Sequence, residues 1–571
     1  LLQNRIESGL LTSKISLNFN EKDGKLQNYI IQGRVKDANI KLLNDKNLNK
    51  ISFNFKASND EYNLKNIKLD YEEIKLESEK IKVIKKNKNY SVEGSFKSQK
   101  QTISPKFFLN LLDIDFNDLI KNELVLETDN NFKFNISNKF KVKDLRIKSN
   151  LKYEKLILNY NSKIIKNYFN DYKNLIFFKD GYIKIDYSKE NLSLKVSSKY
   201  SFDKKFDNLK FDILKTNNKY KFNTVINIDN SKITVKPINY IKKKQKSSVL
   251  KTEGYYLKNK LINFNKISYL EANNFLNINK IILNKNYKIL EIQEIETNFF
   301  NENKKLNNLS LKKNKNNYLL LGESFDASEL INSNLKSDED DNFFTIFENL
   351  NSKLSIDINT VYLDEDSYLE NLNGLIVLNK NIIKSANLDS SFPNNDKFIF
   401  SIKTNNSEKV TTLFSENAEP FVKKFDFIKG FTGGKIDFYS VKKNNHSKSK
   451  INIFNFKLKE VPALATLLSL ASLQGIADLM TGEGIRFDEF EMTFESKDKL
   501  ININEIYSIG PAISILMNGY IQQDELVSLR GTLVPATTIN NVIGKIKILG
   551  DILIGTKKGE GVFGVSFKIK G

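Results

Sequence analysis

Alternation of apolar and polar positions dominates this chain. Ile15, Leu17 and Phe19 alternate with Ser16 and Asn18, Ile183, Ile185 and Tyr187 with Lys184 and Asp186, and Leu192, Leu194 and Val196 with Ser193 and Lys195. The stretch from Phe222 through Val235 reads the same way. Runs of period two predict strands with one wet face and one apolar face. Short turns rich in Asn, Asp, Lys and Gly join them, Asn20–Gly24 and Lys179–Gly181 among them. Such runs recur over most of the first 400 residues, and only 7 prolines occur in the whole chain, which suits long uninterrupted strands. The predicted fold class is mainly β: a long curled antiparallel sheet forming an elongated hydrophobic groove, with a few helices, chiefly near the C-terminus. A string of ordinary β-sandwiches fits the pattern equally well.

A loose repeat runs through the strands, each ending in Gly with an apolar or aromatic residue close behind. It is seen at Gly33-Arg34-Val35, Gly94-Ser95-Phe96, Gly254-Tyr255, Gly322 to Phe325 and Gly519-Tyr520. The irregular spacing excludes a fixed-period solenoid and fits antiparallel strands added side by side. With about 10–14 residues per strand and turn, and strands about 4.8 Å apart, such a sheet would reach roughly 200 Å. An apolar face of that extent must curl into a trough, pack on a second sheet, or hold something apolar.

Helical interruptions are few. Ser104-Pro105 opens one over PKFFLNLLD, and Asp326 to Ile331 carries an N-cap signature. The longest uncharged apolar run is Val461–Gly484, VPALATLLSLASLQGIADLMTGEG. Pro462 suits a first helical turn, and Gly482 and Gly484 stop the helix. At about 100° per residue its leucines fall on nearly every side, so a helix over 462–480 needs a cover. It can be a core helix plugging the end of a sheet or a surface touching acyl chains or a membrane. A transmembrane span is disfavoured, because Gln474, Gly475 and Asp478 fall in its second half.

Around residue 430 the composition shifts toward glycine, and Gly430 to Gly434 is a candidate boundary. Strands are predicted after the apolar run, at Ile485 to Phe494 with a parity slip as at a bulge. Others follow at Ile501–Ile503, Ile513–Met517, Leu529–Leu533 and Val562–Ile569. Pro535 precedes a second apolar segment, Ile539–Ile554.

Charge and chemistry narrow the function classes. The net charge is +21, but the cations are nearly all Lys, with Arg only at Arg5, Arg34, Arg146, Arg486 and Arg530. No arginine patch for bidentate phosphate or base recognition exists, so nucleic acid is not an expected partner. Attraction to an anionic membrane surface stays open. There is no Cys, and the only His, His446, sits in the polar stretch KKNNHSKSK, read as a solvated loop. Catalytic triads and His-based zinc sites are thereby excluded within this chain. Asp338, Asp340 and Asn342 imitate the start of a calcium loop, but Phe343 replaces its Gly and Asn349 its bidentate Glu. Gly559 to Gly564 spells GxGxxG without a following helix and reads as turn residues. No catalytic residue, cofactor or metal is expected.

The C-terminal stretch resembles a known family. PALATLLSLASLQG, GEGI followed by F, GPAISILMNGYI, LRGTLVPA and NVIGKIKILGDILIGTKKGEGVFG look like the AsmA-like C-terminal region of YhdP-type proteins of Gram-negative envelopes. The match runs from about Ala418 to Gly571, and Leu319–Ile331 also resembles a family segment. This divides the chain into a repeating β-groove region, 1–417, and an AsmA-like region, 418–571. The Trp-containing motifs of the upstream family region are missing, since the chain has no Trp. The resemblance implies an inner-membrane anchor upstream of this piece, a periplasmic β-groove with a hydrophobic lining, and phospholipid movement toward the outer membrane. Phospholipids and the two membranes are then the expected partners. Leu464, Leu467, Leu468, Leu470, Leu473 and Ile476 are the candidate lipid or membrane contacts. A structural scaffold for outer-membrane protein assembly is the alternative. An enzyme working with carboxylates alone finds no paired carboxylates at a recognisable site.

Overall fold

The structure is a computed structural model that describes residues 6–41, 47–87, 89–111, 118–137, 141–331, 343–405, 407–423, 430–459, 484–522, 526–535 and 565–570. The protein is mainly β: a long antiparallel sheet with a few short helices. Two compact units are present, one of Leu1–Val235 and Ile241–Tyr287, the other of Lys236–Tyr240 and Lys288–Gly571.

The first unit is a meander in which successive long strands pair in turn, the short strand Ile233–Val235 standing outside the ladder. Ile6–Phe19 pairs with Leu26–Lys41, that with Asn47–Ser58, and so on to Leu261–Glu271 with Asn274–Asn284. The second unit runs likewise from Ile289–Phe300 to Val565–Lys570. A parallel step between named strands joins Asn317–Asp326 to Ser352–Tyr362. Each apolar cluster draws on strands consecutive in the ladder rather than on two facing layers, which favours the groove pattern over sandwiches.

In each unit the two edges of the sheet differ. One edge of the first unit closes with hairpins at 20–25, 59–60, 189–190 and 217–218, while the connections 104–123, 160–174 and 228–247 all leave from the other. In the second unit, 315–316, 380–381, 444–445 and 498–499 are tight hairpins, and 327–351, 416–430, 459–484 and 536–564 leave from the opposite edge. The helices stand in these long connections. Pro105–Leu111 is capped by Ser104, whose Oγ accepts from Phe107 N at 3.2 Å, and it buries Leu109 beside Ile103 and Leu124. Asp326 Oδ1 accepts from Ser328 N at 3.0 Å, as the N-cap signature requires. Glu419–Val422 buries Val422 and stacks Phe421 on Phe398, centroids 5.7 Å apart.

Several sequence expectations need correction. Lys179–Gly181 is not a turn. It lies inside the strand Leu175–Ser188, where Asp180 is left-handed (φ +52°) and makes a bulge. Phe222–Val235 is not one run. The strand ends at Asn227, and Ile233–Val235 is a separate short strand, because the carbonyls of Ile228, Asp229 and Ser231 turn inward onto Lys242. The repeated glycines do not end strands but sit within them. At Gly254 an added Cβ would meet the carbonyl oxygen of Asn263 on the neighbouring strand, and at Gly181 the Tyr153 ring. Gly254→Val is therefore expected to cost about 1–3 kcal/mol, read as a lowered urea midpoint; an unchanged midpoint would contradict the close approach.

The parity slip expected between Phe487 and Phe490 is present. Both rings contact Phe456, stacked at 5.1 Å and edge-on at 6.4 Å, and the left-handed residue sits across from them at Asn455. The apolar run Val461–Gly484 lies outside the described residues except for Gly484, which is left-handed (φ +87°) and leads into Ile485–Lys497. Also outside them are Ile539–Ile554, the acidic residues 337–342 and the GxGxxG stretch.

Candidate functional site

Residues opposite one another in a ladder point to the same face, so the register shows which side chains share a surface. In the first unit Gly33, Phe55, Leu64, Ile81, Gly94, Phe132, Ile147, Tyr187 and Leu192 stand opposite one another in turn across nine strands. Two residues along, Ile185, Leu194, Ile213, Phe222, Gly254, Phe264 and Ile281 carry the same face onward to the unit's last strand. In the second unit the row is Ile295, Leu311, Leu320, Ile356, Gly374, Leu388, Phe400, Leu413, Phe438, Ile451, Met492, Ile506, Met517, Gly531 and Phe567. No charged, amide or aliphatic hydroxyl side chain interrupts any of these three rows, and Tyr187 is the one member with a polar tip.

The opposite face is polar. Gln32, Lys56, Asn63, Lys82, Glu93, Lys133 and Arg146 follow one another there in the first unit. Asn387, Ser401, Thr412, Tyr439, Lys450, Thr493 and Glu505 do so in the second. Cross-strand ion pairs lace this face: Lys133 to Glu93 at 2.8 Å, Lys152 to Glu127 at 2.6 Å, Lys450 to Glu491 at 2.9 Å. The Lys133 hydrogen bond holds the Glu93 carboxyl below its usual range.

A strict period of two would lose the apolar face wherever a strand bulges, and the sequence compensates. Val35 is followed on the apolar side by Ala38, Leu48 by Ile51, and Leu64 by Ile67; each pair is three apart and spans a left-handed residue, Asp37, Lys50 and Asn66. Neighbouring side chains take up the freed amides. Asp37 N donates to Ser52 Oγ and Lys50 N to Asn39 Oδ1, both at 3.0 Å. The intra-strand glycines lie in the apolar rows beside large partners, Gly33 by Phe55, Gly94 by Phe132 and Gly254 by Phe264.

At the edge that carries the helices, apolar side chains are fully buried, as at Ile103, Leu124, Phe431, Ile485 and Phe487. Along the rows most side chains, including Leu320, Ile356, Leu388, Phe400, Leu413 and Phe438, stay only half-buried. The surface is apolar, continuous across strands and incompletely covered.

No group of three His, Cys, Asp or Glu side chains that could hold a metal is found among the described residues. His446 is not in a loop but opens the strand His446–Leu458, where its Nε2 lies 3.0 Å from Glu495 Oε2. No helix among the described residues is long and apolar enough to cross a membrane. The six candidate contacts Leu464, Leu467, Leu468, Leu470, Leu473 and Ile476 lie outside the described residues; their connection leaves and rejoins the sheet through Leu458 and Ile485, which pair with each other. The apolar face is the one the alternation predicts; the register that joins it into rows across strands is what sequence reading missed, though the three-residue gaps around Asp37, Lys50 and Asn66 signal where it shifts. No known protein-family model matches the chain, and neither does any curated protein.

Proposed function

We propose that the apolar face holds the acyl chains of phospholipids and lets them move across the strands, as a bridge-like conduit in the periplasm between inner and outer membranes. The observation that carries this reading is the apolar row of the second unit, uninterrupted over all its strands. A chain of sixteen carbons laid on such a surface gains on the order of 10 kcal/mol over water. A shift by one strand exchanges Leu388 for Phe400, or Phe400 for Leu413, so the gain changes little from step to step. Headgroups stay in water at the lip of the face. Passage needs no bond to form or break, and net direction comes from a gradient or a partner protein.

The envelope setting rests on the AsmA-like resemblance of 418–571; the acyl-chain reading rests on the face itself. Mass spectrometry of lipids extracted from the purified protein tests it. Phospholipid retained through purification in delipidated buffer is expected. A protein free of lipid, yet binding unfolded outer-membrane protein, would replace the conduit with a scaffold.

A further inference from the structure

We infer that one corner of the first unit, where the segments 160–174, 202–206, 228–235 and 241–247 converge, is a docking surface for an anionic membrane. All of them lie off the sheet edge opposite the tight hairpins, and they pack on one another. Phe202 meets the rings of Phe169, Tyr172 and Tyr200 with centroids 5.0, 5.4 and 5.7 Å apart. Thr234 Oγ1 donates to Asn170 Oδ1 at 2.8 Å, and Phe169 bridges to Ile233. Three carboxylates belong to these segments, and all are engaged. Asp171 and Asp203 both pair with Lys244, at 2.9 and 3.6 Å, and Asp229 accepts from Ser248 N at 2.8 Å. The lysines outnumber them. Lys163 and Lys166, Lys204 and Lys205, and Lys243 and Lys246 are all exposed, with no ion pair among the described residues. Their charge is left for an anion from outside.

A short helix decides what kind of anion. Ser162 caps Lys163–Tyr168, its Oγ accepting from Ile165 N at 3.3 Å. Ile164 and Tyr168 stand one turn apart on one side of it, and Lys163 and Lys166 one turn apart on the next. Ile164 is 66% exposed, Tyr160 50% and Tyr168 45%. An exposed isoleucine flanked by tyrosines and lysines suits the interface of an anionic bilayer. There the cations meet lipid phosphates, the tyrosines sit at headgroup depth and the isoleucine enters below them. A single-stranded nucleic acid would be served by Arg forks and stacking rings. These segments hold no Arg, and the most exposed of the three side chains cannot stack. None of this depends on what the apolar face carries.

At about 0.1 M salt, the protein should co-sediment with vesicles of phosphatidylcholine and phosphatidylglycerol, and not with phosphatidylcholine alone. The triple variant Lys166→Gln, Lys204→Gln, Lys246→Gln should bind on the order of 100-fold more weakly. Ile164→Ser should bind about tenfold more weakly. The control is Lys184→Gln, Lys195→Gln, Lys210→Gln. Those lysines are also exposed and without an ion pair among the described residues, but they stand on the polar face of the strands. The control therefore loses the same charge elsewhere and should stay within about twofold of the wild type. Equal losses in the two triple variants would reduce the effect to net charge and overturn the proposal, as would no binding by the wild type. Vesicle binding unchanged by Ile164→Ser would also overturn it, and equally tight binding of a single-stranded oligonucleotide would then give the corner to a soluble polyanion. Circular dichroism and thermal unfolding establish that all three variants fold.

Discussion

Leu388→Glu is expected to reduce lipid transfer between vesicles at least tenfold while the protein keeps its fold. Leu388 stands in the middle of the second unit's apolar row, between Gly374 and Phe400, and is half-buried. Water still reaches it, so a carboxylate there remains hydrated in the empty protein. A passing acyl chain strips that water, and desolvating the charge costs several kcal/mol, enough for a tenfold slowing at about 1.4 kcal/mol per decade. Asn387 is the neighbouring residue and points to the other face, opposite Ser401, so Asn387→Glu adds the same charge to the same strand outside the path. Transfer by Asn387→Glu should match the wild type within about twofold. If Leu388→Glu carried lipid at the wild-type rate, the row would not be the route.

That test depends on knowing which face each residue takes, and the sequence showed this for single strands but not across the ladder. Alternation at Ile183, Ile185 and Tyr187 was readable because the pairing energy of one apolar face imposes period two. Alternation failed as a guide where a strand bulges. Asp180 reads as part of a turn, since Asp and Gly favour turns and left-handed bulges for the same steric reason. The intra-strand glycines misled similarly. Gly254 marks close approach to the backbone at Asn263, and a close approach between strands leaves no mark in one strand's own pattern. The rows themselves are long-range facts. Leu413 meets Phe400 through a hairpin, but Leu320 meets Ile356 only because Asn317–Asp326 and Ser352–Tyr362 pair in parallel across a connection. The helix caps at Ser104 and Asp326 were legible, because a cap is a local matter.

Lys242 is the residue whose role no sequence pattern announced, and its loss should destabilise the first unit more than any surface change. It is the first of three successive lysines, Lys242 to Lys244, in a run that looks solvent-facing, yet it is 0% exposed. Its Nζ donates to the carbonyl oxygens of Asp229 and Ser231, both at 2.9 Å, and to that of Ile228. Burial pushes its pKa down, while the Asp207 and Asp229 carboxylates pull the other way. The same loop is pinned at its edges by Ser248, whose N donates to Asp229 Oδ1 at 2.8 Å and whose Oγ donates to Ile228 O at 2.9 Å. Asp207 accepts from Asn230 N at 3.0 Å. Lys242→Met keeps much of the volume and removes the charge, leaving three inward carbonyls without the ammonium that gathers them and the two aspartates without a buried cation. Breaking a buried charge network in this way costs about 3–5 kcal/mol, which should appear as a lower urea midpoint with the strands on either side, Lys219–Asn227 and Ser248–Leu257, losing hydrogen-exchange protection first. Lys244→Met serves as the comparison: its exposed pair with Asp171 at 2.9 Å is worth at most about 1 kcal/mol. If the two substitutions shifted the midpoint equally, the ammonium would not be what holds residues 228–248 against the sheet.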